Sequence, residues 1–150
     1  MALAVDTLEE SFARIRPDAP AFVADFYTTL LADHPEVHRL FARTDMAAQR
    51  DKLLSALVLV MEHLRRPETL APTLRDLGAR HTAYGVQPEH YPMVGAALLR
   101  TFASHLGSAW TPDVEQAWIE AYGAIADLMI EGAVSVPAGR NATNALSAPG

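Results

Sequence analysis

The sequence predicts an all-α fold. Apolar residues recur at helical spacing over almost the whole chain, strictly alternating runs of β-branched and aromatic residues are missing, and Pro17, Pro35, Pro67, Gly85, Pro88 and Gly107 fall between the periodic segments. With 150 residues, half of them hydrophobic and a fifth charged, the chain has the size and composition of one compact domain with one sizeable core.

Thr7 to Glu10 has the spacing of a capping box, with Leu8, Phe12 and Ile15 on one face of a first helix that ends near Pro17. A second helix starts after Asp18, tolerates Pro20 in its first turn, and carries Phe22, Val23, Phe26, Tyr27, Leu30 and Leu31 toward Pro35. Glu36 to Phe41 reads as a helical turn, Ala42 to Asp45 as a polar corner, and Asp45 as the cap of a third long helix. That helix carries Gln49, Leu53, Leu54, Leu57, Val58, Met61 and Leu64 and stops at Pro67. The next is expected to begin around Pro72, with Leu70, Leu74, Leu77 and His81 at three- and four-residue steps and Gly85 as a left-handed stop. Pro88 is expected to open a helix with Tyr91, Val94, Leu98, Leu99 and Phe102 inward, closed by Gly107. Thr111 and Pro112 cap the last helix, which buries Val114, Trp118, Ala121, Tyr122, Ile125 and Met129. From Ala133 the chain turns to Ser, Pro, Ala, Gly and Asn without periodicity. Residues 133–150 are therefore expected to form a disordered tail after a folded domain at 1–132.

Composition excludes several functions. The formal net charge is −6 and no stripe of Lys and Arg appears, so a phosphate backbone would be repelled and nucleic acid is not an expected partner. The absence of Cys removes disulfides, thiolate catalysis and Cys-based metal sites, leaving His or carboxylate to hold any metal. No signal peptide or bilayer-spanning run is evident, so no membrane association and a cytoplasmic location are expected.

One residue is out of place: His81 lies where leucines lie. On spacing alone, a core histidine bonded to a carbonyl is the simpler reading, and His34, His38, His63, His90 and His105 read as surface residues. The surroundings of His81 add a second reading. Leu77-Gly78-Ala79-Arg80-His81, then Gly85, then His90-Tyr91-Pro92 resembles the proximal region of bacterial haemoglobins and of the haem domain of flavohaemoglobins. Phe26-Tyr27, His34-Pro35-Glu36-Val37 and Leu40-Phe41 resemble the same family's distal side, in the same order, and the resemblance runs from about Leu8 to Gly132.

The resemblance implies a globin fold holding haem b (iron protoporphyrin IX), with His81 as iron ligand and Tyr91 orienting it. The family's acidic partner for that tyrosine falls near Ala133, with Glu131 on a different side of an ideal helix. Tyr27 and Gln49 match ligand-facing positions, Leu53 the apolar wall above the iron, and Phe41 a ring packed on the porphyrin. Lys52 and Arg80 are candidates to meet the haem propionates, or solvated charges. The implied function is reversible binding of dioxygen, with carbon monoxide and nitric oxide as further gaseous ligands, by a monomer or homodimer. Alternatives are nitric oxide dioxygenation with an external reductase, and a haem-based gas sensor. A cofactor-free helical bundle, with His81 and Tyr27 as core residues, is the remaining reading.

Overall fold

The computed structural model describes residues 3–134. Among them are the α-helices α1 (Val5–Ile15), α2 (Ala19–Asp33), α3 (Met46–His63), α4 (Pro67–Ala83), α5 (His90–Leu106) and α6 (Pro112–Val134). Short 3-10 turns at Arg16–Asp18, Pro35–Phe41 and Gly107–Ala109 connect some of them, and no strand occurs among the described residues. The all-α expectation holds. No helix among the described residues is long and apolar enough to cross a membrane.

Most helix ends follow local chemistry. The Asp45 carboxylate accepts hydrogen bonds from the amides of Ala47 and Ala48 at 3.0 and 3.4 Å, capping α3. Thr111 Oγ accepts from the Val114 amide at 3.3 Å at the start of α6. Gly85 and Gly107 adopt φ of 96° and 56°, values that disfavour any side chain, and each lies where the sequence stops a helix.

Three starts differ from expectation, and tertiary packing accounts for two of them. Helix α1 begins at Val5, so the capping box at Thr7 does not form; Val5 packs on the core, and Thr7 lends its carbonyl to the Ser11 hydroxyl at 2.8 Å. Helix α4 begins at Pro67 rather than Pro72. Pro67 sits where a missing amide hydrogen costs nothing, and Pro72 is carried inside the helix because Leu70 and Leu74, both buried, anchor that turn. Helix α5 begins at His90, after a turn at Pro88 and Glu89. At the other end, α6 includes Ala133 and Val134, and the rest of the expected tail lies outside the described residues.

The main core joins α1, α2, α5 and α6. Phe22 and Phe102 have no exposed surface; their rings meet at 4.7 Å, and Phe102 stacks on Trp118 at 4.2 Å. The Trp118 indole donates to Ser11 Oγ at 2.8 Å, and Ser11 in turn donates to the Thr7 carbonyl, so the polar tip of the buried indole is satisfied. A second cluster of Leu70, Leu74, Tyr91, Ala126 and Met129 joins α4, α5 and α6. Replacing Phe102 by Ala is expected to lower stability by about 3–5 kcal/mol, whereas Ile119→Ala, at a 44% exposed position, should stay within about 0.5 kcal/mol of the parent. Urea denaturation of both variants checks this.

Candidate functional site

The helices enclose a cavity of about 260 Å³ with side chains from α2 through α6 on its walls. Its lining is overwhelmingly apolar and includes Phe26, Leu30, Leu57, Met61, Leu98 and Met129, with no carboxylate among the lining residues. The polar groups that reach it are therefore few and can be followed one by one.

His81 comes from the last turns of α4. Its Nδ1 lies 2.8 Å from the Leu77 carbonyl. A carbonyl oxygen only accepts, so Nδ1 carries the hydrogen and donates. Burial pushes the imidazole pKa down, an effect the Leu77 bond opposes and the nearby Arg80 charge reinforces, so the ring is neutral and Nε2 holds a lone pair. This is the histidine–carbonyl bond that the simpler reading of His81 calls for, and it leaves Nε2 as a Lewis base in an apolar cavity.

Tyr27 comes from α2. Its ring stands edge-on to Phe26 at 4.9 Å and to Phe41 at 5.6 Å, which holds the phenol in place. The Tyr27 hydroxyl accepts a hydrogen bond from Gln49 Nε2 of α3 at 3.0 Å, and its own proton remains for donation elsewhere. Gln49 Oε1 is buried without a hydrogen-bond partner.

Tyr91 and Tyr122 form a second polar group. Tyr122 donates to the Tyr91 carbonyl at 2.7 Å, and Gly95 makes room for its ring, since a methyl there would stand 2.6 Å from Tyr122 Cε2. The Tyr91 hydroxyl is buried and has no partner. Glu131 does not supply one: its carboxylate is bound to Arg75 at 2.7 Å, with both side chains exposed.

Of the residues singled out from the sequence, His81, Tyr27, Phe41, Gln49, Leu53, Lys52 and Tyr91 all line this cavity. Arg80 is not among the lining residues; it is exposed and bonded to Asp76 one turn back at 2.9 Å. The surface placement of His90 is corrected. It is buried, lines the cavity, and accepts the Gln87 amide on Nδ1 at 2.8 Å, closing the turn before α5. His105 is likewise mostly covered, packed edge-on to Phe22 and 2.7 Å from Asp25. Sequence reasoning also missed Tyr84, Trp118 and Tyr122 as lining residues, because each has the ordinary spacing of a helix core face. No group of three or more His, Cys, Asp or Glu that could hold a metal ion gathers among the described residues.

Burial raises the phenol pKa values of Tyr27, Tyr91 and Tyr122, with the Gln49 bond partly offsetting the rise at Tyr27 and the neighbouring Tyr91 adding to it at Tyr122. A phenol with a higher pKa in the fold stays neutral there while the unfolded chain ionises. Stability is then complete below the ordinary value of 10.0 and falls as pH rises beyond it. Tyr122→Phe should cost about 1 kcal/mol at neutral pH and make the alkaline decline shallower. Denaturation midpoints measured as a function of pH check both, and an equally steep decline in the variant would count against the shifted phenol.

Comparison with known proteins places this geometry. The globin family model matches residues 24–129. The flavohemoprotein of Bacillus subtilis (strain 168) is 32% identical over 128 residues, covering 84% of this chain and 32% of that protein. The flavohemoprotein of Deinococcus radiodurans is 37% identical over 107 residues, covering 70% of this chain and 27% of that protein. The chain thus spans about a third or less of the length of these relatives. Among solved structures, a bacterial globin from Campylobacter jejuni superposes with a TM-score of 0.75 at 23% identity, covering 87% of this chain and 94% of that one. RmaNOD, an engineered carbene transferase from Rhodothermus marinus that carries the name of a nitric oxide dioxygenase, superposes with a TM-score of 0.78 at 28% identity, covering 87% and 91%.

Proposed function

Because this chain belongs to the globin family, we propose that it holds haem b through His81 Nε2 and binds dioxygen reversibly beside Tyr27 and Gln49. The observation that carries the proposal is that a neutral imidazole with a bare Nε2 shares one apolar cavity with a hydrogen-bonded tyrosine and glutamine. The residues present suit the group. The cavity wall is apolar, as a porphyrin face requires, and two buried polar atoms, Gln49 Oε1 and the Tyr91 hydroxyl, lack protein partners there. The sequence has no Cys, so the thioether links of c-type haem cannot form, which points to haem b.

When bound, ferrous haem supplies a reversible coordination site for dioxygen, carbon monoxide or nitric oxide. The protein decides what happens around it. The bond from Nδ1 to Leu77 fixes the tautomer and ring plane of His81. Phe41 and Leu53 exclude water from the cavity wall. Tyr27, held by Gln49 and two aromatic rings, offers its proton to a ligand that carries negative charge on its outer atom. Lys52, an exposed residue of the lining, would be the cation to meet a propionate.

A second reading, nitric oxide dioxygenation with electrons from a separate reductase, is supported by the flavohemoprotein relatives and by the likeness to RmaNOD. Reversible dioxygen binding stands first because His81 donates to a neutral carbonyl and, among the described residues, no carboxylate lines the cavity. The Nδ1 hydrogen goes to a neutral acceptor, which makes the imidazole a weaker electron donor than a carboxylate acceptor would.

His81→Ala should abolish stable haem retention, read as loss of the ferrous spectrum after gel filtration; an unchanged spectrum would remove the axial assignment. Tyr27→Phe should speed dioxygen release about 10-fold or more while changing carbon monoxide release far less, since a hydrogen bond to a charged acceptor is worth about 1.5–3 kcal/mol. Equal effects on both gases in flash photolysis would assign Tyr27 to packing. Rapid nitric oxide consumption in the presence of added reductant would favour the second reading.

A further inference from the structure

Helices α4 and α6 cross more closely than side chains on both would allow, and a glycine from each helix makes the approach possible. A methyl group built on Gly78 would overlap the Met129 carbonyl and stand 2.5 Å from Met129 Cα. One built on Gly132 would overlap the Arg75 carbonyl and stand 2.6 Å from Arg75 Cα. Real Cβ atoms essentially never approach below 3.0 Å. In both cases the obstacle is backbone, which cannot rotate aside as a side chain can.

The two contacts form a pair. Arg75 lies three residues before Gly78 on α4, and Met129 lies three residues before Gly132 on α6. Each glycine therefore sits one turn from the residue that receives the glycine of the other helix, and the antiparallel backbones touch over a full turn. His81 is the next turn of α4 after Gly78, and Met129 lines the same cavity as His81. Any displacement of α4 from α6 is carried to the imidazole through one turn of rigid helix. The Thr82 hydroxyl, which donates to the Gly78 carbonyl at 3.2 Å, ties the two turns together.

We infer that Gly78 and Gly132 are positioning residues for His81: their interlocked contact sets how deep the imidazole reaches into the cavity, and so the geometry of its bond to haem iron. This rests on His81 being the haem ligand. Alanine at either position must separate the helices by on the order of 1 Å, because a close-packed interior offers no other relief. Gly123, also on α6, has nothing within 4 Å of its would-be Cβ, so alanine there changes helix propensity and no contact. It is the internal control.

The experiment compares haem-loaded parent, Gly78→Ala, Gly132→Ala and Gly123→Ala. The iron–histidine stretching band of the ferrous, ligand-free protein reports the axial bond, and haem transfer to an excess of acceptor apoprotein reports retention. Gly78→Ala and Gly132→Ala should each shift the band and speed haem loss about tenfold, as overpacking of a well-packed contact implies; Gly123→Ala should match the parent in both. Gly132 lies within two residues of the last described position of α6. The two variants load the same helix contact from opposite sides, so Gly132→Ala tests the inference even if Gly78→Ala does not fold. If Gly132→Ala melts earlier but keeps the parent's band and haem-loss rate, the glycines are packing residues only and the inference is overturned. A parent with no such band would remove the haem reading itself, and this inference with it.

Discussion

Everything about the cavity depends on how one imidazole is buried without being charged. Desolvation disfavours the protonated ring, and the Leu77 carbonyl takes the single hydrogen of the neutral one. The cost of burying a polar side chain is thereby met at Nδ1, and the basicity of the ring is concentrated at Nε2. A histidine satisfied at both nitrogens would be an inert part of the core. A charged one would repel a metal ion. Helix geometry alone supplies the arrangement, since residues four apart stand one above the other and the carbonyl of the preceding turn is always within reach.

The remaining polar atoms divide according to what they already bind. Tyr122 is closed, donating to the Tyr91 carbonyl. Tyr27 and Gln49 are half closed: they hold one another and leave a phenol proton and an amide oxygen over. Tyr91 is open, and the acidic side chain nearest to its family partner's place is engaged with Arg75 at the surface. An apolar cavity whose polar atoms are incompletely paired is costly in a cofactor-free protein and useful in one that takes a ligand. Helix α3 shows the same bias from the packing side. None of its residues is fully buried, although Leu53, Leu57, Val60 and Met61 all face the cavity. It is the helix with most to gain from an occupant.

How much of this could be read in advance follows from the range of the forces involved. The helices were legible because apolar periodicity and caps are local: Asp45, Thr111, Gly85 and Gly107 act within a turn of themselves. Helix starts differ from expectation at Val5 and Pro67, where packing of the partly buried Val5 and burial of Leu70 and Leu74 against distant helices outweigh a capping box and a proline. The surface reading of His90 fails because nothing in its neighbours tells which side of a turn faces inward.

The sequence by itself determined an all-helical chain and the inward face of each helix, since both follow from spacing along one segment, while His81, Tyr27 and Gln49 stand out as candidates only through the family resemblance of their surroundings. Only the tertiary structure decided which of them meet. The bond between Tyr27 and Gln49 spans 22 positions, the capture of Glu131 by Arg75 spans 56, and the glycine contacts that bring α4 against α6 span 51 and 57. Such pairings depend on how helices cross, and a crossing is fixed by the shapes of two surfaces together, which neither segment contains alone.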